Sequence, residues 1–220
     1  MIKCIIFDFD GVIIDSLKPT FLTWKKISEE FNAKVKINNI EQYKKLFKNN
    51  IIKMLESIGL SKKESKRSVE IYIETLEKNP SKLFKGIKRV LNKLSKDYTL
   101  ALVSGSQEKV IKNKLKKEKM LDLFKVLIPI IKLERNKPDP YHINLAIKKL
   151  KINPKEIIYI GDTVEDIKAA RRAGINKIVM VSYGYSAKKS LEKYSPSIIV
   201  DSPPEILKAI KKLNQKKNKK

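Results

Sequence analysis

Short apolar runs that alternate with helical patterns are the feature of this sequence that most constrains its fold. From residue 85 onward, runs rich in isoleucine, valine and leucine are each followed by apolar residues at helical spacing. The runs are Tyr98–Val103, Leu127–Ile131, Ile157–Ile160, Ile178–Val181 and Ser197–Val200. Such alternation is typical of a parallel sheet with right-handed crossovers, and nearly continuous apolar strands are typical of a sheet covered on both faces. The sequence therefore predicts an α/β fold with a doubly wound, Rossmann-like parallel sheet.

The apolar run at residues 2–7 is predicted to join the same sheet, because alone it has nothing to bury against. The segment that separates this run from the others is predicted to be helical throughout. Its apolar residues, among them Phe21, Trp24 and Ile27, recur at three- and four-residue steps. The predicted parts are a core domain (1–15 and 84–213), an inserted helical cap domain (16–83) and a basic tail (214–220).

The net charge of +25 raises the question of a polyanionic partner. Lysine and arginine can neutralise nucleic-acid phosphates, and their summed field can attract a small anionic substrate. However, the basic residues are spread along the chain and lack the interleaved aromatic residues of a single-strand binding platform. We therefore expect lysines on solvated faces and no nucleic-acid partner, and we expect the tail to be a frayed helix end followed by disorder.

Cysteine usage and hydropathy indicate the compartment. Cys4 is the single cysteine of the sequence, so no internal disulfide can form, which fits a reducing cytoplasm. No apolar run is long enough to span a bilayer. We expect a cytoplasmic protein without a membrane partner, present as a monomer or homodimer.

Two carboxylates follow the first predicted strand. Asp8 and Asp10 are two residues apart, and alternate residues of a strand point to the same side. Gly11 then lets the backbone turn or a ligand approach closely. Two carboxylates so close together are unfavourable unless a cation or a shared proton offsets them, and oxygen ligands in a tight group suit Mg²⁺.

Three further strand ends carry polar residues. Ser104 and Gly105 stand between a strand and a helix, where a hydroxyl and backbone N–H groups suit an anion. Lys137 lies in a loop stiffened by two prolines, and Asp162 and Asp166 are predicted to meet on one helix face. Each feature alone has an ordinary explanation as a helix cap or a surface charge. Because ligands of doubly wound sheets bind beyond the carboxyl ends of the strands, we expect the set to form one functional site.

These motifs, in this order, resemble the four motifs of the haloacid dehalogenase superfamily. The acid two residues after the first aspartate resembles the phosphatase and mutase branches, and the helical insertion lies where the family has its first type of cap. Two later stretches, Gly184-Tyr185 and residues 198–203, are similar to the phosphoglycolate phosphatase and pyrophosphatase branch. The motif residues are Asp8-Phe9-Asp10-Gly11-Val12, Ser104, Lys137-Pro138, and Gly161-Asp162-Thr163 with Asp166.

The resemblance implies a Mg²⁺-dependent phosphatase that hydrolyses a small, anionic phosphomonoester through an aspartyl-phosphate intermediate. Asp8 is the implied nucleophile. The implied metal ligands are Asp8, Asp162 and the backbone carbonyl of Asp10. The Asp10 side chain is implied to protonate the leaving oxygen and then to deprotonate the attacking water.

The same resemblance implies that Ser104, Gly105 and Lys137 hold the phosphoryl group where negative charge builds up. Lys137 also screens the attack of one anion on another. Asp166 is implied to orient Lys137 or a metal-bound water. The single histidine of the sequence, His142, is interpreted as a partly exposed helix residue without a role.

Alternative functions stay open at this point. The β-phosphoglucomutase branch is similar but has a histidine acid/base early in its first cap helix, where this chain has Thr20. A hydroxyl cannot replace an imidazole in proton transfer near neutral pH, so we expect hydrolysis and not isomerisation. Pyrophosphate and nucleoside monophosphates are alternative substrates. A non-catalytic, basic RNA-binding protein is the alternative from another class.

Overall fold

The computed structural model describes residues 1–48, 51–131 and 135–215, and the chain divides into two compact units. The core unit contains Met1–Ile14 and the chain from Leu83 onward, and the inserted unit is Asp15–Lys82. Of the predicted basic tail, Asn214 and Gln215 end the last helix, and residues 216–220 lie outside the described residues.

The core unit, as far as it is described, contains a six-stranded parallel sheet with the order β5-β4-β1-β6-β7-β8. β1 is central and pairs with β4 on one side and with β6 on the other. This arrangement confirms the predicted doubly wound α/β fold. The strands are β1 (Cys4–Phe7), β4 (Thr99–Val103), β5 (Phe124–Ile128), β6 (Ile157–Gly161), β7 (Lys177–Val181) and β8 (Ile198–Val200).

Alternate residues of the strands pack into two separate apolar layers, one on each face of the sheet. In β1, Ile5 and Phe7 join one layer, whereas Cys4 and Ile6 join the other. Helices α5, α6 and α10 contribute buried residues to the first layer, and α7 and α8 contribute to the second. The core-unit helices are α5 (Ile87–Leu94), α6 (Glu108–Lys117), α7 (Tyr141–Leu150), α8 (Val164–Arg172), α9 (Lys188–Glu192) and α10 (Glu205–Gln215).

Strand β5 differs from its predicted position. The apolar run predicts a strand over residues 127–131, but the strand ends at Ile128 and begins three residues earlier than predicted, at Phe124. Pro129 has no N–H group to donate to a strand ladder, and Phe124 buries its ring in the first apolar layer. Lys125 is tolerated in the strand because β5 lies at an edge of the sheet.

The inserted unit is mostly helical. A 3₁₀ turn at Lys62–Glu64 begins with a capping box between Ser61 and Glu64. Where the chain enters and leaves this unit, β2 (Ile14–Asp15) and β3 (Lys82–Leu83) form a two-stranded sheet, so the prediction of helix throughout residues 16–83 is wrong at residues 82 and 83. Its helices are α1 (Leu17–Glu30), α2 (Ile40–Leu46), α3 (Ile51–Ser57) and α4 (Ser65–Lys78). Within the described part of the chain, no helix combines the length and the apolar character needed to cross a membrane.

The order of the strands brings the motif residues to one edge of the sheet. From β1 the chain continues to β4 and β5 on one side, and it then crosses to β6, β7 and β8 on the other. The carboxyl ends of β4, β1 and β6 therefore lie next to one another at the point where the strand order reverses. In open α/β sheets this is where ligands bind.

Candidate active site

Asp8 follows the last residue of β1 and is largely buried. Its backbone N–H donates to the carbonyl of Ile160 (2.8 Å), which extends the β1–β6 pairing to this position. Its Oδ1 accepts from the N–H of Phe9 (2.8 Å) and lies 2.9 Å from Nζ of Lys137. Within the described residues, these contacts of the carboxylate fall on Oδ1 alone, so Oδ2 is available to a ligand.

Lys137 joins two carboxylates in the interior. Its ammonium lies 2.9 Å from Asp8 Oδ1 and 2.7 Å from Asp166 Oδ1, and its side chain is 5% exposed. Its backbone N–H donates to Oδ1 of Asn136 (2.9 Å), and the Lys137–Pro138 peptide bond is cis. Burial by itself lowers the pKa of this lysine, but Asp166 and Asp8 outweigh burial and raise the pKa well above its usual value. Lys137 is therefore a fixed positive charge.

Asp166 is held by donors on both oxygens. Oδ1 accepts from Lys137 and from the hydroxyl of Tyr159 (2.8 Å). Oδ2 accepts from the N–H (3.0 Å) and hydroxyl (2.7 Å) of Thr163 in a capping box, and from the N–H of Asp162 (3.3 Å). Burial raises the pKa of Asp166, but Lys137 and the hydroxyl donors lower it below its usual value. The prediction that Asp162 and Asp166 meet on a helix face is wrong, because α8 begins at Val164 and Asp166 reaches back to the Asp162 backbone.

Asp162 has one oxygen occupied and one open. Oδ2 accepts from the backbone N–H of Tyr185 (2.7 Å), whereas the buried Oδ1 has no hydrogen-bond partner among the described residues. Gly11 and Gly184 pack against this carboxylate, and a Cβ atom would lie 2.1 Å from Oδ2 at Gly11 and 2.3 Å from it at Gly184. Gly11 also has a φ of +76°, which favours glycine. Two glycines thus let two loops close around Asp162.

Three carboxylates of the described chain have oxygens within 4.8 Å of one another, namely those of Asp8, Asp162 and Asp166. Among the described residues, Lys137 is the one ammonium in direct contact with this cluster, through Asp8 and Asp166, so two negative charges are uncompensated when all three carboxylates are ionised. Burial, together with Asp166 and Asp10, raises the pKa of Asp8 to about 7 despite the nearby Lys137. Burial, Asp166 and Asp8 likewise raise the pKa of Asp162 well above its usual value.

This donor set fits a divalent cation. A buried group with two uncompensated charges and an unpartnered carboxylate oxygen is stabilised by a small, doubly charged ion that binds oxygen. Asp8 and Asp162 have oxygens available for such an ion. Asp166 has donors on both oxygens and is instead an anchor for Lys137.

The remaining predicted residues lie beside this cluster. The Asp10 carboxylate is half-buried and accepts from the hydroxyl of Ser106 through Oδ2 (2.6 Å). Ser104 is buried after β4, and its Oγ accepts from the N–H of Ser106 (2.9 Å). Gly105 is exposed, and a Cβ atom there would lie 3.3 Å from the side-chain nitrogen of Asn136.

Five residues that position this site receive no role from the sequence. Tyr159 reads as one more apolar strand residue, and Thr163 stands in the Gly161-Asp162-Thr163 motif without a role of its own. Asn136 precedes the predicted lysine, and Ser106 follows the predicted Ser104-Gly105 pair. Tyr185 acts through its backbone N–H. Its signal in the sequence is the Gly184-Tyr185 pair, which resembles a branch signature but indicates no role for the tyrosine.

His142 corrects a prediction. It is 3% exposed and not partly exposed, and its Nε2 accepts from the backbone N–H of Ile131 (3.1 Å). Burial lowers the pKa of this histidine, and the Lys137 charge lowers it further. His142 is therefore a buried residue that is neutral at pH 7. Its hydrogen bond with Ile131 holds the backbone of the segment that follows β5.

Comparison with known proteins identifies the relatives of this chain. The family model described as haloacid dehalogenase-like hydrolase matches residues 5–180. A phosphoglycolate phosphatase of Nitrosospira multiformis is 26% identical, and the match covers 96% of each chain. A phosphorylated carbohydrates phosphatase of Thermotoga maritima is 23% identical, over 96% of this chain and 99% of that one. The crystal structure of a predicted phosphoglycolate phosphatase from Haemophilus somnus superimposes with a TM-score of 0.82 at 24% identity, covering 95% of this chain and 98% of that one.

Proposed function

Because this chain belongs to the haloacid dehalogenase-like hydrolase family and is a phosphatase of its phosphoglycolate phosphatase-like branch, we propose that it is Mg²⁺-dependent and hydrolyses a small phosphomonoester through a phosphorylated Asp8. The observation that carries this proposal is the charge balance of the buried cluster. Three carboxylates face one ammonium, and Asp162 Oδ1 has no partner among the described residues. Asp8 and Asp162, with the Asp10 carbonyl, would hold the cation.

The first half-reaction transfers the phosphoryl group to Asp8. A carboxylate oxygen of Asp8 forms a bond to phosphorus while the bond from phosphorus to the ester oxygen breaks. The Asp10 carboxylic acid gives its proton to that departing oxygen, so the product is a neutral alcohol. Lys137, 2.9 Å from Asp8 Oδ1, screens the approach of two anions. The cation, when bound, supplies further positive charge at the transferred phosphoryl group.

The second half-reaction regenerates Asp8. The Asp10 carboxylate now takes a proton from a water molecule, whose oxygen attacks phosphorus. The bond between phosphorus and the Asp8 oxygen breaks, which yields inorganic phosphate and restores both aspartates. Ser104 and the Gly105 N–H are proposed to hold a phosphoryl oxygen in both steps, since Ser104 is fixed after β4 by the N–H of Ser106.

The substrate is proposed to be phosphoglycolate or a similarly small phosphate ester. Relatives named as phosphatases of phosphoglycolate and of phosphorylated carbohydrates support this class. Residues 16–83, predicted to be the cap domain, are our candidate for the part of the chain that selects the organic group. We also propose a cytoplasmic location, since the buried Cys4 forms no disulfide.

Hydrolysis is favoured over phosphoglucomutase activity by the position of Thr20. Its hydroxyl donates within α1, to the carbonyls of Ser16 (2.7 Å) and Leu17 (3.1 Å). A threonine hydroxyl that donates to backbone carbonyls lacks the near-neutral pKa of an imidazole. It therefore cannot shuttle protons between sugar oxygens in the way that a histidine can. We therefore expect net release of phosphate.

The test is phosphate release from a panel of esters with Mg²⁺, comparing the native chain with Asp8→Asn. The panel contains phosphoglycolate, hexose phosphates, nucleoside monophosphates and pyrophosphate. We expect the native chain to release phosphate from at least one small ester and the variant to be inactive. Equal release by both proteins would remove Asp8 as the nucleophile. Isomerisation of a hexose 1-phosphate without net phosphate release would favour the mutase.

A further inference from the structure

Ser106 connects three neighbouring strand ends of the core unit. It lies between β4 and α6, and all three of its polar groups are engaged. Its N–H donates to Ser104 Oγ (2.9 Å), its carbonyl accepts from the N–H of Ile130 (3.1 Å), and its hydroxyl donates to Asp10 Oδ2 (2.6 Å). The residue therefore joins the loop after β1 to the loops after β4 and β5.

The contact with Asp10 determines which oxygen of that carboxyl group can carry a proton. A serine hydroxyl has one proton, and here it is directed at Oδ2. Oδ2 can accept this bond both as part of a carboxylate and as the carbonyl oxygen of a carboxylic acid. Oδ1 has no hydrogen-bond partner among the described residues and is the oxygen left to bind or release a proton.

Resting on the proposed function, we infer that Ser106 is a positioning residue for the acid/base Asp10 and that it directs both proton transfers to Oδ1. In the first half-reaction the proton leaves Oδ1 for the ester oxygen as the phosphorus–oxygen bond breaks. In the second, Oδ1 takes a proton from the attacking water. The hydroxyl of Ser106 keeps its own proton throughout, so it differs in role from Ser104, which is proposed to contact the phosphoryl group.

The test compares Ser106→Ala with the native chain on two substrates of different leaving-group acidity. The variant removes the hydroxyl and keeps the N–H that holds Ser104. With an alkyl phosphate, departure of the alkoxide needs the proton, and we expect single-turnover phosphorylation of Asp8 to slow about 10- to 100-fold. With p-nitrophenyl phosphate, whose leaving group departs as an anion, we expect this step to slow less than about 3-fold. Hydrolysis of the phosphorylated enzyme should slow for both substrates.

Two further variants separate positioning from structural damage. Ser106→Thr retains a hydroxyl and should restore most of the rate. Ser202→Ala is the matched control, because Ser202 is equally half-buried and its hydroxyl donates over the same 2.6 Å to Glu205, at the start of α10. This control should leave the phosphorylation rate on both substrates unchanged.

The inference is overturned if Ser106→Ala slows both phosphorylation reactions equally, or if its main effect is a raised KM, because the hydroxyl would then act on the phosphate. It is also overturned if Ser106→Ala behaves like Ser202→Ala. In those cases the proposed function stands, provided that the native chain is active and Asp8→Asn is not. An inactive native chain would instead overturn both proposals.

Discussion

Each unit of this protein contains a cation that contacts several carboxylates, and the two clusters differ in burial. In the core unit, Lys137 contacts Asp8 and Asp166 with a side chain that is 5% exposed. In the inserted unit, Arg67 lies 3.0 Å from Glu30, 3.2 Å from Glu70 and 3.1 Å from Glu74, with a side chain that is 45% exposed.

Burial decides what each cluster can do. Exposed ion pairs are screened by water and salt and contribute little to stability. Buried charges interact strongly, and an imbalance among them has to be relieved by protonation or by a bound ion. The Lys137 cluster has raised pKa values at Asp8 and Asp162, which indicate such an imbalance. The number of contacts between charged side chains therefore does not distinguish a functional site from a surface cluster. Buried charge without a compensating partner does distinguish it.

The largest effect is expected for Lys137→Met. The substitution keeps an unbranched side chain and leaves Asp8 and Asp166 buried without their cation. We expect phosphatase activity to fall at least about 10³-fold. We also expect the metal-free protein to lose about 3–5 kcal/mol of unfolding free energy at pH 8, measured by urea denaturation in EDTA. Native-like stability of this variant would show that the cluster is less buried in solution than described.

Asp8→Asn should abolish activity but stabilise the metal-free protein. The folded-state pKa of Asp8, about 7, lies above its usual value of 3.8. Between about pH 4 and pH 7 the folded state therefore keeps a proton that the unfolded chain has lost, and this group makes stability fall as pH rises through that window.

Asparagine at position 8 has no ionisable carboxyl group, so this contribution to the pH dependence of stability disappears in the variant. In EDTA we expect Asp8→Asn to exceed the native chain by about 1–3 kcal/mol at pH 8 and to match it closely at pH 4, measured by urea denaturation. Saturating Mg²⁺ should remove the advantage at pH 8, because the ion stabilises ionised Asp8. A variant less stable than the native chain at pH 8 without metal would contradict the proposed charge imbalance.

Gly184→Ala tests the packing around Asp162. An added Cβ would lie 2.3 Å from Asp162 Oδ2, so the carboxylate has to move from the N–H of Tyr185. We expect Mg²⁺ affinity, measured by calorimetry, to fall about 10-fold. The control is Gly174→Ala, at a glycine with a φ of +80° whose nearest Cβ neighbour is Pro154 at 3.5 Å. The Gly174→Ala variant should lose stability through backbone strain and keep its Mg²⁺ affinity. Loss of Mg²⁺ affinity in Gly174→Ala, with native affinity in Gly184→Ala, would show that Gly184 does not shape the site.

The smallest effect is expected for Arg67→Met, the surface counterpart of the lysine substitution. It breaks three ion pairs with Glu30, Glu70 and Glu74. Because these four side chains are 35–50% exposed to water, we expect a melting temperature within experimental error of the native value in 0.15 M salt. A loss as large as that of Lys137→Met would contradict the distinction drawn between the two clusters.

Much of the fold could be predicted from the sequence because the strands of a covered parallel sheet are continuous apolar runs. The exception, β5, is an edge strand, where Lys125 interrupts the pattern and Pro129 falls just after the end. An apolar run that extends past a strand cannot show where pairing stops. Nor does the apolar run show where the strand begins, since Phe124 pairs with Leu100 across an irregular register.

The site was predicted where residue type and spacing carry the chemistry, and missed where the role depends on a distant partner. Asp8 and Asp162 directly follow strands and Lys137 lies in the loop after β5, and all three are of types that indicate phosphate chemistry. In contrast, Tyr159 donates to Asp166 and Ser106 donates to Asp10, and nothing in the local sequence identifies either acceptor. His142 likewise occupies a helix position whose burial depends on the chain after β5.

The most direct test of the central claim is calorimetric titration of the phosphate-free chain with Mg²⁺ at pH 7.5, in the native form, in Asp162→Asn and in Asp10→Asn. We expect one site per native chain, with protons released on binding, because Asp8 and Asp162 have raised pKa values. Asp162→Asn should lower the affinity at least about 10-fold, whereas Asp10→Asn, which keeps its backbone carbonyl, should change it little. A native chain that binds no Mg²⁺, or an Asp162→Asn variant that binds it equally well, would contradict a cation-holding role for the buried carboxylates.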